Sequence, residues 1–246
     1  PISTYPRFVS YQSDIPVQGI ANENIKYQGG FSLIGNKITS QSVSGAESRI
    51  EVSHEGALKF IAWSPSIEFQ DSTFQAEGAR LKILHQNDSL VHQSVGLSYD
   101  YNSEHLLVEP SKGSMRNSPY ASSFFNVDFS IDKIKWDLKS DSMNMFTDGN
   151  RNTVPMVIES VDHYDAEDFR LLGGTGFSFH PLVLAVGYCM KNKVRSFYSS
   201  DLAMATKRDL NEVKHAMSFL AQKGYATYDK RNDRITIKEK AVELYR

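Results

Sequence analysis

The chain has 246 residues, of which 40% are hydrophobic and 23% are charged, and its formal net charge is -2. This hydrophobic share can build a core, so the composition excludes a chain that is disordered throughout. The charge is uneven, because residues 191–246 contain 13 Lys and Arg against 7 Asp and Glu, whereas residues 1–190 contain 14 against 22. The composition therefore predicts two parts of different character, an acidic body and a basic C-terminal part.

The chain contains one cysteine, Cys189, so it cannot form an internal disulfide. The apolar neighbours of Cys189 predict a buried thiol that packs instead of reacting. A lack of disulfides is typical of cytosolic proteins but does not exclude an exported bacterial protein. No apolar run approaches the ~20 residues of a membrane-spanning helix. The chain starts at Pro1 and stops at Arg246 inside a helical pattern, from which we expect a fragment of a longer protein.

Apolar and polar residues alternate from about Ile25 to Phe146, which is the pattern of half-buried strands. In "ARLKILH", Leu81 and Ile83 fall on one face and charged residues on the other. Further runs of this kind are "VGLSYDY", "SRIEVS", "LKFIAW", "SIEFQ", "HLLVE", "FNVDFSI" and "IKWDLK". Residues 1–146 are therefore predicted to be mainly β, either an irregular antiparallel sandwich or a solenoid-like sheet. Most aromatic residues are interpreted as core, and any that face outward would form a partner-binding surface.

Residues 147–180 are predicted to connect this part to a second domain. They begin with the turn "TDGNRN", and "YDAEDFRLL" predicts a short helix with Asp165 as its N-cap and Gly173 at its end. The acidic residues of this stretch lack the spacing of a calcium loop, so we interpret them as a solvated loop. They are Glu159, Asp162, Asp165, Glu167 and Asp168. The glycines of "GGTGFSFHP" lack the Lys-Ser/Thr pair of a phosphate-binding loop and predict a turn.

Residues 181–246 predict a small α+β domain with the order helix, helix, helix, hairpin, helix. The first helix begins near Pro181, and Ser200 is predicted to cap the second. The third, "DLNEVKHAMSFLAQKG", ends at Gly224 and carries a buried stripe. The residues of this stripe are Leu210, Val213, Met217 and Leu220. The hairpin "YATYDKRNDRITIK" has a polar tip at residues 230–233 and places Ile235 and Ile237 on one face.

This order, with the phrase "FLAQKGYATYDKRNDRITI", resembles winged-helix DNA-binding domains. The resemblance implies that the third helix would read the major groove and that the hairpin, the wing, would contact phosphates. The residues that could do so are Lys207, Arg208, Asn211, Lys214, Ser218, Lys230, Arg231 and Arg234. However, the same helix carries Glu212, which we interpret as a capping partner of Asp209, and it has no arginine beyond its first turn. These features favour a winged helix used for protein–protein or interdomain packing.

The sequence shows no motif for a metal, a cofactor or a catalytic centre. The seven histidines form no short pair at metal-ligand spacing, and G-x-S-x-G, kinase and hydrolase phrases are absent. We therefore predict no catalytic residues, no metal and no cofactor. An enzyme with an unrecognised site would need a deep polar pocket in the β-rich body.

The phrases "YQGGFSLIGNKI", "FSIDKIKWDL", "VIESVDHYD" and "HPLVLAVGY", with the winged-helix-like end, resemble very large exported proteins of Bacteroidota-type bacteria. That resemblance implies a location in the cell envelope, in the periplasm or at the outer membrane, and a structural or assembly role. The predicted function is a non-enzymatic part of a larger scaffold whose partners are other protein subunits or the rest of a longer chain. The alternative is a cytoplasmic DNA-binding regulator with a β-rich sensor domain.

Overall fold

The computed structural model describes residues 6–18, 20, 22–112, 118–140, 142–147, 156–161, 166–174 and 176–246. Over these residues the chain is mainly antiparallel β, followed by a small α+β part, as predicted. The strands of the β-rich part are β1 Arg7–Val9, β2 Ile15–Gln18, β3 Ile25–Gly29, β4 Ser32–Ile34, β5 Lys37–Thr39, β6 Ser48–His54, β7 Ala57–Ser64, β8 Ile67–Phe69, β9 Thr73–His85, β10 Asp88–Asp100, β11 His105–Pro110, β12 Tyr120–Ser122, β13 Val127–Ser130, β14 Lys133–Asp137, β15 Met143–Phe146 and β16 Val157–Ser160.

The long hairpin of β9 and β10 organises the sheet, because each of these 13-residue strands pairs with two different neighbours along its outer side. β9 pairs with β8 at its start and with β7 at its end, and β10 pairs with β12 at its start and with β11 at its end. The β9–β10 register shifts between His92 and Leu97. Such irregularities bend a strand and increase its twist. The sheet therefore divides at this hairpin into two layers.

The first layer consists of β2, β3, β6, β7, the adjoining halves of β9 and β10, β12, β13 and β16. The second consists of β1, β4, β5, β8, the other halves of β9 and β10, β11, β14 and β15. The two layers share one hydrophobic cluster. The ring centroids of Tyr27 and Phe69, one from each layer, are 5.3 Å apart, and those of Phe60 and Tyr99 are 5.5 Å apart. The β-rich part is therefore a sandwich, the first of the two predicted alternatives.

The alternating pattern identified the central strands correctly. Leu81 and Ile83 are both buried, and so are Val95 and Leu97. Three short strands, β1, β2 and β16, lie outside the alternating stretch from Ile25 to Phe146. β16 lies in the stretch interpreted as a connector, yet it pairs with β13. The predicted turn after Thr147 and the proposed cap Asp165 lie outside the described residues.

The C-terminal part contains five helices and a three-stranded sheet among the described residues. Its elements are α1 Ala166–Gly173, α2 Pro181–Asn192, β17 Ser196–Tyr198, α3 Ser199–Thr206, α4 Leu210–Gln222, β18 Ala226–Asp229, β19 Arg234–Ile237 and α5 Glu239–Tyr245. They surround a second hydrophobic cluster, which includes Leu172 of α1 and Cys189 of α2. Burial raises the pKa of the Cys189 thiol to about 11, as expected for a packed cysteine. No described helix has the length and apolar character needed to cross a membrane.

Several details of this part differ from the predictions. Strand β17 was missed, and it pairs with β19. The predicted Ser200 cap is wrong, because α3 starts at Ser199 and has no side-chain cap. Within α4, Val213, Met217 and Leu220 are buried, but Leu210 is 38% exposed. Leu210 is the first residue of the helix, before the point at which α4 enters the core.

The ends of α4 and the hairpin follow the predictions closely. Asp209 caps α4 by accepting a hydrogen bond from the backbone nitrogen of Glu212 at 3.0 Å. Gly224 has a φ of 78°, the left-handed conformation that ends helices. Ile235 and Ile237 of β19 are both buried. The hairpin therefore packs one face onto the helices and leaves its tip outside.

Candidate partner-binding surfaces

Five of the eight predicted contact residues lie on or beside α4, and two of these already have partners. They are Lys207, Arg208, Asn211, Lys214 and Ser218. The guanidinium of Arg208 donates to Ser178 Oγ at 2.8 Å and lies 5.0 Å from the ring centroid of Phe179. The ammonium of Lys214 lies 3.8 Å from Asp233 Oδ1. These two cations therefore take part in contacts within the protein.

Residues 176–180 run along one side of α4. Glu212 Oε1 accepts a hydrogen bond from the Ser178 nitrogen at 2.8 Å, and this bond holds the pKa of Glu212 below its usual value. The ring centroids of Phe177 and Phe219 are 5.9 Å apart. The predicted capping partnership is thus correct only for Asp209, since the Glu212 carboxylate binds the preceding segment instead. One flank of the predicted reader helix is covered by this segment.

The other three predicted residues, Lys230, Arg231 and Arg234, line a groove of about 560 Å³ between the hairpin and the sandwich. Arg80 of β9 lines the same groove, with its guanidinium 4.5 Å from the ring centroid of Trp63. All three hairpin cations are exposed, and partial burial lowers the pKa of Lys230. We call this region the basic groove. The structure therefore separates the eight residues into two groups on different surfaces.

The hairpin is attached to the sandwich by a pair of backbone contacts from one side chain. Gln93 Oε1 accepts from the Tyr228 nitrogen at 2.9 Å, and Gln93 Nε2 donates to the Ala226 oxygen at 3.3 Å. The side-chain amide of Gln93 thus satisfies the edge of β18 much as a neighbouring strand would. Strand β18 belongs to the C-terminal part, and Gln93 belongs to β10.

A buried ion pair joins the same two parts. Asp128 Oδ2 of β13 lies 2.8 Å from Lys240 Nζ of α5 and 3.6 Å from Lys238 Nζ. Asp128 is 3% exposed and Lys240 is 5% exposed. Burial lowers the pKa of Lys238, and the Asp128 charge opposes that effect. No sequence pattern predicted this contact. The carboxylate of Asp128 meets the two lysine ammonium groups only when the two parts of the chain dock.

A second, apolar cavity of about 510 Å³ opens at one end of the sandwich, and we call it the apolar cleft. Strands β7, β9, β10, β12 and β13 line it together with β14, β15 and β16. Buried side chains form its floor, and they are Ile83, Leu90, Phe129 and Trp136. Exposed side chains form its rim, and they are Phe124, Phe125, Met145, Met156 and Ile158. Phe124 and Phe125 are therefore outward-facing aromatic residues, which the sequence analysis associated with a partner-binding surface.

A third cavity, of about 810 Å³, is lined by Tyr27, Phe31, Phe69 and Tyr101 among others. It lies beside a surface ion pair between Lys37 and Glu68. Between described residues, the shortest contact of a histidine with an acid joins His54 Nδ1 and Glu104 Oε2 at 2.5 Å. Neither residue lines this cavity or the two described above. Among the described residues, no group of three His, Cys, Asp or Glu side chains could hold a metal ion.

Known proteins give no further guide to these surfaces. No protein-family model matches the chain, and no curated protein is similar to it.

Proposed function

We propose that the chain is a non-enzymatic interaction part of a larger scaffold or assembly protein of the cell envelope. In this proposal the C-terminal part is a winged-helix-like domain used as a packing unit, with the β18–β19 hairpin as its wing. The observation that carries the proposal is the attachment of that hairpin to the sandwich through Gln93, beside the buried pair of Asp128 and Lys240. A wing held in this way contributes its backbone to an internal interface.

The chemistry of the cavities supports a binding role. The described residues that line the apolar cleft are mainly aliphatic, aromatic and methionine side chains, and they include no carboxylate. The basic groove contains arginines and lysine, and both of its described carboxylates have partners. Glu47 lies 3.6 Å from Arg80, and Asp229 accepts hydrogen bonds from the backbone of Arg231 and Asn232. Within the part of the chain that the structure describes, neither cavity pairs a carboxylate with a histidine for acid–base work. The envelope location is supported by the resemblance of sequence phrases described above.

A DNA-binding regulator is the second candidate, because the hairpin cations Lys230, Arg231 and Arg234 are exposed. A duplex would have to contact them at the edge of the basic groove, beside the sandwich. Asn211 and His215 of α4 are exposed as well. This candidate predicts binding that weakens steeply with salt, since phosphate contacts release counterions.

A mobility-shift titration with random-sequence duplex DNA at several salt concentrations separates the two candidates. The variant replaces Lys230, Arg231 and Arg234 by Ala, and the matched control replaces the exposed Lys26, Lys139 and Lys191 by Ala, with the same loss of charge. We expect no shift at low salt for any of the three proteins. A salt-sensitive shift that only the hairpin variant loses would support the regulator and contradict the packing role. Recovery of the protein in the cytosol of the cells that produce it would contradict the envelope location.

A further inference from the structure

The apolar cleft has the shape and lining of a preformed site for a small apolar ligand. Its volume of about 510 Å³ falls within the range of about 300–1,000 Å³ that ligand pockets usually have. The floor is fixed by buried side chains of both layers, such as Ile83 and Trp136. The rim is made of adaptable and exposed side chains, and Phe125 is 81% exposed. Exposed apolar groups that surround an apolar cavity favour binding of an apolar body.

The charged side chain that lines the cleft is a lysine. Lys59, half-buried on β7, is a lining residue, and His85 and Ser122 are the other polar ones. No Asp or Glu is among the described residues that line the cleft. Among the described residues Lys59 forms no ion pair, whereas Lys37 of the same layered sheet binds Glu68. A lysine that lines an apolar cavity and has no anionic partner is complementary to an anion that carries an apolar chain.

We propose that the apolar cleft binds one long-chain carboxylate, such as a free fatty acid. The hydrocarbon chain lies on the floor formed by Ile83, Leu90 and Trp136, and the carboxylate binds the ammonium of Lys59. A hydrocarbon chain removes apolar surface of the rim and the floor from water, which is favourable in proportion to the area covered. The volume suits a single-chain amphiphile better than a lipid with two chains. This site lies wholly in the sandwich, so it does not depend on the role of the C-terminal part.

Displacement of the uncharged fluorescent probe N-phenyl-1-naphthylamine tests the proposal. Decanoate and decan-1-ol are the competing ligands, because they share a chain and differ in charge. We expect one probe per chain and a higher affinity for decanoate than for decan-1-ol. Lys59→Met keeps the alkyl stem and removes the charge. It should weaken decanoate binding about tenfold, the effect of losing one charge-assisted hydrogen bond, and leave decan-1-ol binding unchanged.

Two further variants control for indirect effects. Lys82→Met removes a lysine of β9 that does not line the cleft. The decanoate affinity of this variant should equal that of the wild type. Ile158→Asp places a carboxylate on the exposed rim and should weaken both ligands, decanoate more strongly. Circular dichroism and thermal midpoints show that each variant is folded. Absence of probe binding, equal affinities for decanoate and decan-1-ol, or an unchanged decanoate affinity in Lys59→Met would each overturn the proposal. Displacement by apolar peptides alone would assign the cleft to a protein partner and overturn it too.

Discussion

His92 lies buried on β10, and its hydrogen bonds fix it in the neutral form. The Ser94 nitrogen donates to Nδ1 at 3.1 Å, so Nδ1 is an acceptor without a proton. Nε2 lies 2.7 Å from the Ser118 oxygen, so it carries the proton and donates. The ring also packs at 4.4 Å from the ring centroid of Tyr120. A second proton would have to break the bond from Ser94 in an environment remote from water.

Burial lowers the pKa of His92 to about 4, with a smaller contribution from the Lys238 charge. The folded protein therefore binds fewer protons at His92 than the unfolded chain does between about pH 6.5 and pH 4. The stabilisation is complete above pH 6.5 and is lost as the pH falls to about 4. We expect the free energy of unfolding to fall by about 3 kcal/mol over this window on account of His92.

Urea denaturation at a series of pH values measures this dependence. His92→Gln removes the titrating ring, so the difference in stability between wild type and variant should narrow as the pH falls from 6.5 to 4. His215→Gln, at an exposed position on α4, serves as the control and should follow the wild-type curve. A constant difference between His92→Gln and the wild type over this window would show that His92 does not titrate as described.

At the scale of elements, the turn after α4 approaches the sandwich so closely that only glycine fits. A Cβ atom on Gly224 would lie 2.9 Å from Pro119 Cγ and 3.2 Å from Asp128 Oδ2. Gly56, in the β6–β7 turn, provides a matched comparison, because its φ of 76° is close to the 78° of Gly224. A Cβ atom on Gly56 would meet nothing within 4 Å.

The comparison predicts a difference that depends on packing alone. Gly56→Ala should lower the free energy of unfolding by about 1 kcal/mol, the cost of placing alanine in the left-handed conformation. Gly224→Ala has the same backbone cost and must also displace Pro119 or the Asp128 side chain, which adds about 1–3 kcal/mol. Chemical denaturation of both variants checks this order. Equal losses for the two variants would mean that the α4–β18 turn is not pressed against the sandwich.

Helices and strands that depend on local sequence patterns were predictable from the sequence. The long runs around Leu81 and Val95 alternate strictly, and Pro181 and Gly224 mark helix ends by their backbone chemistry. Strand β17 was not predictable, because its three residues become a strand only when β19 lies beside them. The Ser200 cap failed for a related reason. Ser199 is buried and its hydroxyl donates to Asp233, a contact from a distant hairpin that sets where α3 begins.

At the scale of the whole molecule, the surfaces depend on how elements distant in sequence meet. The sequence identified the cations Lys230, Arg231 and Arg234, but not that they would line a groove against the sandwich. The apolar cleft arises because β14 and β15 of one layer face β13 and β16 of the other. The alternation of apolar and polar residues predicts that each of these strands has an apolar face. It does not predict the distance between the facing strands, and this distance creates the cleft. The candidate sites therefore could not be read from spacing.

The interface between the two parts joins two separate hydrophobic clusters. The chain has two tryptophans, Trp63 and Trp136, and both belong to the sandwich, whereas its only cysteine, Cys189, is buried in the C-terminal cluster. Tryptophan fluorescence and thiol alkylation thus report on different parts of one molecule. If docking couples the two parts, the two probes must show the same denaturation midpoint.

We expect these midpoints to coincide in the wild type and to separate in Asp128→Asn. The substitution leaves the buried Lys240 without its counter-charge, which costs about 3–5 kcal/mol. The docked state loses that energy, so alkylation of Cys189 should begin at a lower denaturant concentration than the tryptophan transition.

Glu243→Gln removes the partner of Arg246 in an exposed pair and should keep the midpoints together, since such pairs contribute about 0–1 kcal/mol. Adding Lys240→Met to Asp128→Asn removes the more deeply buried of the two lysine charges, since the Lys238 side chain is 24% exposed, and should bring the two midpoints closer again. Separate midpoints already in the wild type would refute the coupling, because the interface would then contribute too little energy to join the two cores.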